Sequence, residues 1–229
     1  MLLFGFFTMN DYKSREIVMV IGRTGQGKSI WTRIYSKPFK RVFAFDPLRE
    51  FRANYVTEEG LIKLHDESLL SADHNMRIGV SDIDSIDLLG SLAFVHGNAW
   101  LIIEEGGFIF PNGSRSPNWL REACFLGRHR ELNILITAQR PTSIPVDLRS
   151  QASRVICFNQ REQNDMKWLD SYYGDRTDEI LSLEPLECLD ATSQEIARYK
   201  IDPKMDDKME IIEENPEENS SAFEDLGYK

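Results

Sequence analysis

The feature that most restricts the fold is a glycine-rich octapeptide, GRTGQGKS, which occupies positions 22–29 of this 229-residue chain. It matches the pattern G-x-x-x-x-G-K-[ST] and lies directly between the apolar run IVMVI and a helical stretch. In this pattern, successive backbone N–H groups turn inward and hold a phosphate at the positive end of a helix. The sequence therefore predicts a strand, a phosphate-binding loop and a helix, in that order.

The side chains of this loop predict ATP and Mg²⁺ as its ligands. Lys28 supplies a charge that can bridge the β- and γ-phosphates, and the hydroxyl of Ser29 can complete part of a Mg²⁺ shell. A glycine-rich turn with a purely structural role is the alternative, but such a turn would not need both side chains. The predicted nucleotide-binding residues are Gly22, Arg23, Thr24, Gly25, Gln26, Gly27, Lys28 and Ser29.

Short apolar runs alternate with helical patterns through most of the chain. The predicted strands are Glu16–Ile21, Arg41–Asp46, Met76–Val80, Ala99–Glu104, Asn133–Thr137 and Arg154–Phe158. The helices predicted between them are Lys28–Tyr35, Ile83–Val95 and Pro117–Arg130, the last with Ser116 as its N-cap and Pro117 as its first residue. Because the strands are continuously apolar and separated by helices, we expect a doubly wound α/β fold with a mainly parallel sheet covered on both faces.

The composition divides the chain into three segments. The main domain is predicted over residues 16–201 and ends with helices at Glu162–Tyr172 and Asp175–Leu181 and a two-strand ribbon, Glu187–Ala191 and Glu195–Ile201. Residues 202–229 are expected to form a disordered acidic tail, because residues 201–229 hold ten acidic and three basic side chains. Residues 1–15 form an apolar segment that lacks the marks of a signal peptide; a first strand, a later start at Met9 and a weak anchor stay open.

Composition also excludes some classes of protein. The sequence holds no stretch of about 18 consecutive apolar residues, which is the length that a membrane-spanning helix requires. We therefore expect a protein that is neither membrane-embedded nor secreted. Cys124, Cys157 and Cys188 are odd in number and far apart, which predicts a reducing compartment without disulfides or a zinc site.

Polar side chains follow two of the predicted strands at the points where catalysis would need them. Glu104 and Glu105 end AWLIIEE, where Glu104 can hold Mg²⁺ and Glu105 can polarise the water that attacks the γ-phosphate. Gln139 ends the next strand and could approach the same water. A solvated strand end is the alternative for the acids, and a polar cap is the alternative for Gln139. For Asp46, at another strand tip, we favour a structural role.

The motifs GRTGQGKS, WLIIEE, GRHRE, LITAQRP and RVICF, in this order over about residues 16–160, resemble the FtsK/HerA superfamily of P-loop DNA-pumping ATPases. The resemblance implies a RecA-like core that hydrolyses ATP between subunits of a ring, expected to be a hexamer. It implies Lys28 and Ser29 as nucleotide and Mg²⁺ ligands, Glu104 as the metal-associated acid, Glu105 as the catalytic acid and Gln139 as the sensor. Since the first acid of this family is usually aspartate, the division of roles between Glu104 and Glu105 stays open.

Ring ATPases commonly take an arginine from the neighbouring subunit, and this chain is rich in candidates. Arg128 and Arg130 are the leading ones and Arg154 is the next, although each could be an ordinary surface charge. The segment Gly106–Pro117, with two phenylalanines and Arg115, is predicted to be either a DNA-facing loop or a cover for the active site.

The short layout is similar to the genome-packaging ATPases of tailless viruses with an internal membrane. The implied function is therefore the ATP-driven movement of double-stranded DNA into a preformed capsid, in the host cytoplasm or the virion. The implied partners are double-stranded DNA, further copies of the chain and proteins of a capsid vertex or membrane. Two alternatives stay open: a Zot-like assembly and export ATPase of filamentous phages, and a nucleotide-gated scaffold without sustained turnover.

Overall fold

A computed structural model describes residues 15–71, 74–110 and 116–202, together with the backbone of one strand at Met209–Glu213. The N-terminal apolar segment up to residue 14, Arg115 in the glycine-rich segment and most of the acidic tail lie outside the described residues.

The elements follow the order that the sequence predicts. The strands are β1 (Ile17–Ile21), β2 (Arg41–Phe45), β3 (Asn54–Tyr55), β4 (Met76–Val80), β5 (Ala99–Ile103), β6 (Leu132–Ala138), β7 (Arg154–Cys157), β8 (Glu187–Ala191), β9 (Ile196–Ile201) and β10 (Met209–Glu213). The helices are α1 (Lys28–Ser36), α2 (Glu58–Asp66), α3 (Ile86–His96), α4 (Gly106–Ile109), α5 (Asn118–Leu126), α6 (Val146–Arg149) and α7 (Gln163–Tyr173).

Within the described residues, ten strands form one sheet in the order β10-β9-β8-β7-β1-β6-β5-β2-β4-β3. β1 to β7 pair in parallel, and β8, β9 and β10 extend the sheet with antiparallel pairs. The parallel strands have all their carboxyl ends at one edge of the sheet, named here the carboxyl edge, and their amino ends at the opposite amino edge. The loops after β1, β5 and β6 are therefore neighbours at the carboxyl edge.

Helices cover both faces of the sheet, as the sequence predicts. Val18 and Val20 of β1 pack in one cluster with Trp31 of α1. Their neighbours Ile17, Met19 and Ile21 belong to the opposite cluster, which also takes in buried side chains of α2, α3, α5 and α7. Because successive residues of a strand point to opposite faces, the continuously apolar strands fill both clusters. The predicted α/β class with a mainly parallel sheet is confirmed.

The predicted helix Pro117–Arg130 is wrong at both ends. The helix α5 begins at Asn118, and Pro117 is its N-cap, with a carbonyl that accepts from the N–H groups of Leu120 and Arg121. Ser116 does not cap the helix, because its buried hydroxyl has no hydrogen-bond partner in the part of the chain that the structure describes. At the other end α5 stops at Leu126, and Gly127–Arg130 form a 3₁₀ turn.

Other differences concern short or exposed elements. The sequence did not predict β3, which has two residues, or α2, which buries only Leu61 and is capped by the Thr57 hydroxyl. The predicted helix Asp175–Leu181 lies inside a 3₁₀ segment, Gly174–Ser182.

The two ends of the chain differ in how far the structure describes them. Met209–Glu213 form a strand paired with β9, so the prediction of disorder is corrected for these five residues; the rest of the tail beyond residue 213 lies outside the description. No helix among the described residues has the length and apolar character needed to cross a bilayer.

Candidate active site

The phosphate-binding loop connects β1 to α1, and two of its glycines have backbone angles that other residues rarely adopt. Gly25 has φ of 78° and Gly27, the N-cap of α1, has φ of 117°. A Cβ atom on Gly27 would lie 3.0 Å from Leu186 Cδ2 and 3.1 Å from Phe158 Cε1. Leu186 also donates its N–H to the Gln26 carbonyl at 2.9 Å. Glycine is therefore needed here both for its φ and for the close approach of two apolar side chains.

Lys28 is the first residue of α1 and is only 6% exposed. Its ammonium donates to the Arg23 carbonyl across the loop at 3.3 Å. Burial lowers the pKa of Lys28, and the carboxylates of Glu105 and Glu104 oppose this effect. The loop, the lysine and the two acids therefore meet at one place, as the sequence predicts for a site that holds a triphosphate.

Glu104 lies directly after β5 and is 8% exposed. Its N–H donates to the Phe45 carbonyl at 2.9 Å, and its Oε2 accepts from the Thr137 hydroxyl at 2.7 Å. Burial raises the pKa of Glu104 to about 7; the Thr137 hydrogen bond opposes the rise, and the nearby Asp46 and Glu105 carboxylates increase it. A buried carboxylate is costly unless a cation compensates it.

The residues predicted to hold Mg²⁺ fit this ion. Glu104 supplies a buried carboxylate, and Ser29 supplies a hydroxyl from the first turn of α1. Both donors are oxygen atoms, which are the ligands that Mg²⁺ prefers, and the ion usually keeps several waters and phosphate oxygens. Burial is the largest cause of the raised pKa of Glu104, and the Lys28 ammonium opposes the rise.

Glu105 has a left-handed backbone, with φ of 54° and ψ of 52°. This conformation is uncommon for a residue other than glycine and marks local strain. The N–H of Glu105 donates to the Thr137 hydroxyl oxygen at 3.0 Å. The turn begins the short helix α4, whose Phe108 donates its N–H back to the Glu105 carbonyl.

Asp46 directly follows β2 near these acids, and its carboxylate accepts hydrogen bonds from the residues of its own loop. It accepts from the N–H of Phe51 at 2.7 Å, from the N–H of Leu48 at 3.1 Å and from the Tyr55 hydroxyl at 2.5 Å. These bonds fix the loop that leads to β3 and support the structural role expected for Asp46.

Gln139 follows β6 and has an exposed side chain. It lines a cavity of about 450 Å³ together with Arg23, Thr24, Gln160 and Arg161. The amide of Gln160, a residue that the sequence did not single out, donates to the Gln139 carbonyl. The sequence signal that could have identified Gln160 is its position two residues beyond the predicted strand Arg154–Phe158, at the same edge of the sheet as Gln139.

The predicted arginines lie at the amino edge, away from the phosphate loop. Arg128 and Arg130 belong to the 3₁₀ turn just before β6; the Arg130 carbonyl accepts from the Asn98 N–H, and its guanidinium lies over the Phe94 ring. They therefore do not join the site of their own chain.

Arg154 begins β7, also at the amino edge, and its Nη2 lies 2.5 Å from Asp190 Oδ2. This ion pair holds the side chain inside its own subunit, which argues against Arg154 as an arginine supplied to a neighbour.

Comparisons with known proteins agree with this fold. The genome-packaging NTPase B204 of Sulfolobus turreted icosahedral virus 2, solved with AMPPCP, is similar with a TM-score of 0.63 and 22% identity, over 81% of this chain and 97% of that one. The chain has the P-loop ATPase fold. VirB4 of Thermoanaerobacter pseudethanolicus is similar with a TM-score of 0.55 and 10% identity, over 85% of this chain and 91% of that one.

The P-loop ATPase fold that the predicted resemblance implies is confirmed by these structural neighbours. The N-terminal domain of zonular occludens toxin from Neisseria meningitidis has a TM-score of 0.43 and 15% identity over 88% of this chain and 95% of that one, too low to favour the export alternative. No protein-family model and no curated protein sequence matches the chain.

Proposed function

We propose that this protein is a Mg²⁺-dependent ATPase that assembles into a ring and moves double-stranded DNA into a preformed viral capsid. The observation that carries the ATPase part is the convergence of Lys28, Glu104 and Glu105 at the end of β1 and β5. These groups lie beside a loop in which Gly25 and Gly27 have positive φ angles, the kind of backbone that turns successive amides toward an anion.

Each residue has a distinct task in this proposal. The loop amides and Lys28 bind the phosphates, and Ser29 and Glu104 hold Mg²⁺. When bound, Mg²⁺ supplies positive charge that offsets the charge of the phosphate oxygens. Glu105 accepts a proton from the attacking water or orients it, and Gln139 senses the terminal phosphate from the end of β6. The division of roles between Glu104 and Glu105 follows burial, since Glu104 is buried and Glu105 is partly exposed.

The proposed ring is supported by exposed apolar side chains at the carboxyl edge. Leu48 follows β2 and is 69% exposed, and Phe108 follows the acids and is 60% exposed. Large apolar side chains beside an open phosphate site fit a surface that a second copy of the chain covers. Arg128 or Arg130 of that copy is then the arginine that stabilises the terminal phosphate. A hexamer remains the stoichiometry that we propose.

The cargo is supported by the similarity of fold to a genome-packaging NTPase and by the arginine-rich composition of one segment. Residues 115–154 hold seven arginines and three acidic side chains. Arginine side chains bind backbone phosphate without reading base sequence, so we expect DNA binding to weaken as salt rises. The location follows from the cargo: host cytoplasm during assembly and the packaging vertex of the virion.

The test is ATP hydrolysis by the purified full chain with and without double-stranded DNA. We expect hydrolysis that DNA stimulates and that falls about 100-fold or more in Glu105→Gln, while ATP binding persists. Glu122→Gln is the matched control, because Glu122 is exposed on α5. Tight ATP binding with negligible turnover under all conditions would contradict the motor and support the scaffold alternative.

A further inference from the structure

Thr137 on β6 contacts both candidate acids through one hydroxyl group. The Thr137 hydroxyl donates to Glu104 Oε2 at 2.7 Å, and its oxygen accepts the Glu105 N–H at 3.0 Å. Thr137 is fully buried, so water does not compete for either bond. One side chain of the neighbouring strand therefore fixes the carboxylate of the first acid and the backbone of the second.

The register of the sheet explains this contact. β5 and β6 are parallel neighbours in which Ile103 is paired with Ile136, so the next residues along the two strands, Glu104 and Thr137, lie side by side. Ile103 and Ile136 both belong to the cluster on the face opposite α1. Since side chains alternate between faces, Glu104 and Thr137 both point to the face that carries α1 and its Lys28.

The two hydrogen bonds give the hydroxyl a fixed direction. A threonine hydroxyl has one proton to donate and two lone pairs to accept with. Because the Glu105 N–H occupies a lone pair, the single proton is free to point at Glu104. An ionised carboxylate can only accept, so this arrangement is best satisfied when Glu104 carries its charge.

We propose that Thr137 is a positioning residue for the two acids, which orients the Glu104 carboxylate and holds the left-handed turn at Glu105. This inference rests on the proposed ATPase function, because it assigns a role within that same site. Thr137 also lies two residues before Gln139 on β6, so one strand end carries both the sensor and the group that orients the acids. Thr137 itself touches no substrate in this proposal.

The hydroxyl, and not the volume of the side chain, has the proposed role. Valine has nearly the shape of threonine and can pack in the same place, but it makes neither hydrogen bond. Serine keeps the hydroxyl and loses one methyl group. Thr32 on α1 offers a matched control, because it is also fully buried and its hydroxyl has no hydrogen-bond partner within the described residues.

The experiment compares Thr137→Val, Thr137→Ser and Thr32→Val with the wild type by ATP hydrolysis, by ATP affinity and by hydrogen exchange of the Glu105 amide. In Thr137→Val we expect kcat to fall about 10- to 100-fold, the range typical for the loss of a partner that orients an active-site ligand. KM and the dissociation constant for ATP are expected to change less than about threefold. Thr137→Ser is expected to recover most of kcat, and Thr32→Val is expected to match the wild type.

Amide exchange gives a readout that does not depend on turnover. Since the Glu105 N–H loses its acceptor in Thr137→Val, we expect its protection to fall about tenfold or more, and to recover in Thr137→Ser. A Thr137→Val variant with wild-type kcat and unchanged protection would overturn the inference. Equal loss of ATP affinity and of kcat in both Thr137 variants would also overturn it, because that result indicates a structural role alone.

The proposed function can fail separately. A wild type that binds no ATP or does not hydrolyse it would contradict the ATPase proposal. Protection of the Glu105 amide would still decide whether the Thr137 hydroxyl holds the turn.

Discussion

The charged side chains around the phosphate-binding loop, at the carboxyl edge, differ in their partners from the arginines that begin strands at the amino edge. At the carboxyl edge, Lys28 donates to the Arg23 backbone carbonyl, and Glu104 is buried with a raised pKa. Glu105 beside them has a left-handed backbone. At the amino edge, the charged side chains that begin strands are paired or surrounded by acceptors.

Two arginines show the amino-edge pattern. Arg154 begins β7 and pairs with Asp190, whose side chain is only 4% exposed. Arg41 begins β2 and donates to the carbonyls of Leu70 and Ser71 at 2.7 and 2.6 Å. These bonds connect the first residues of strands to the segments around them and stabilise the fold.

We interpret this difference as one between residues that stabilise the fold and residues that we propose bind a ligand. Buried charges are expensive, so a fold that needed only stability would pair or remove them. Backbone strain likewise persists only where the surrounding structure enforces it, which is common at functional sites. Left-handed residues occur at both edges, since Asn98 and Glu131 at the amino edge also have positive φ angles. The physical reason to propose the active site at the carboxyl edge is therefore the buried charges of Lys28 and Glu104 beside the phosphate-binding loop.

The largest expected effect on stability comes from breaking the amino-edge pair. Asp190→Ala leaves the Arg154 guanidinium without its carboxylate in a largely buried position, so we expect the free energy of unfolding to fall by about 3 kcal/mol. Urea unfolding at pH 7 measures this change. Exposed Asp66→Ala on α2 is the control and is expected to change stability by less than about 0.5 kcal/mol. An Asp190→Ala variant as stable as the control would remove the contrast between the edges.

A smaller effect, of opposite sign, is expected at the carboxyl edge. Without nucleotide and Mg²⁺, Glu104→Gln should raise the free energy of unfolding by about 2 kcal/mol at pH 8, because it removes a buried charge. The pKa of Glu104 is about 7 in the folded chain and 4.5 as its ordinary value. The folded state therefore binds the proton more tightly, and the wild type loses stability as pH rises from 4.5 through 7.

The stability difference between Glu104→Gln and the wild type should also depend on pH. The difference between Glu104→Gln and the wild type should be large at pH 8 and nearly absent at about pH 3.5, where Glu104 is largely protonated in both states. Urea unfolding over this range measures it, with Glu122→Gln as the control. A Glu104→Gln variant that is less stable than the wild type at pH 8 would show that the buried carboxylate is fully compensated within the chain.

The sequence predicted best what short local patterns determine. The phosphate loop, the acids after β5 and the apolar strands on both faces follow from spacing and residue type alone. Thr137 was missed because its contact with Glu104 depends on the register between β5 and β6, which no local pattern specifies. The helix α2 was missed because it buries only Leu61, and the start of α5 was misplaced because Ser116 looks like a cap but is turned into the protein.

The most direct test of the proposed site is whether the buried ammonium of Lys28 binds phosphate. Equilibrium binding of ATP to the purified full chain should be measured for the wild type, Lys28→Ala and Lys63→Ala, whose side chain is 73% exposed in the wild type. The account predicts a loss of about 100-fold in affinity for Lys28→Ala and no change for Lys63→Ala. Wild-type affinity in Lys28→Ala would contradict it.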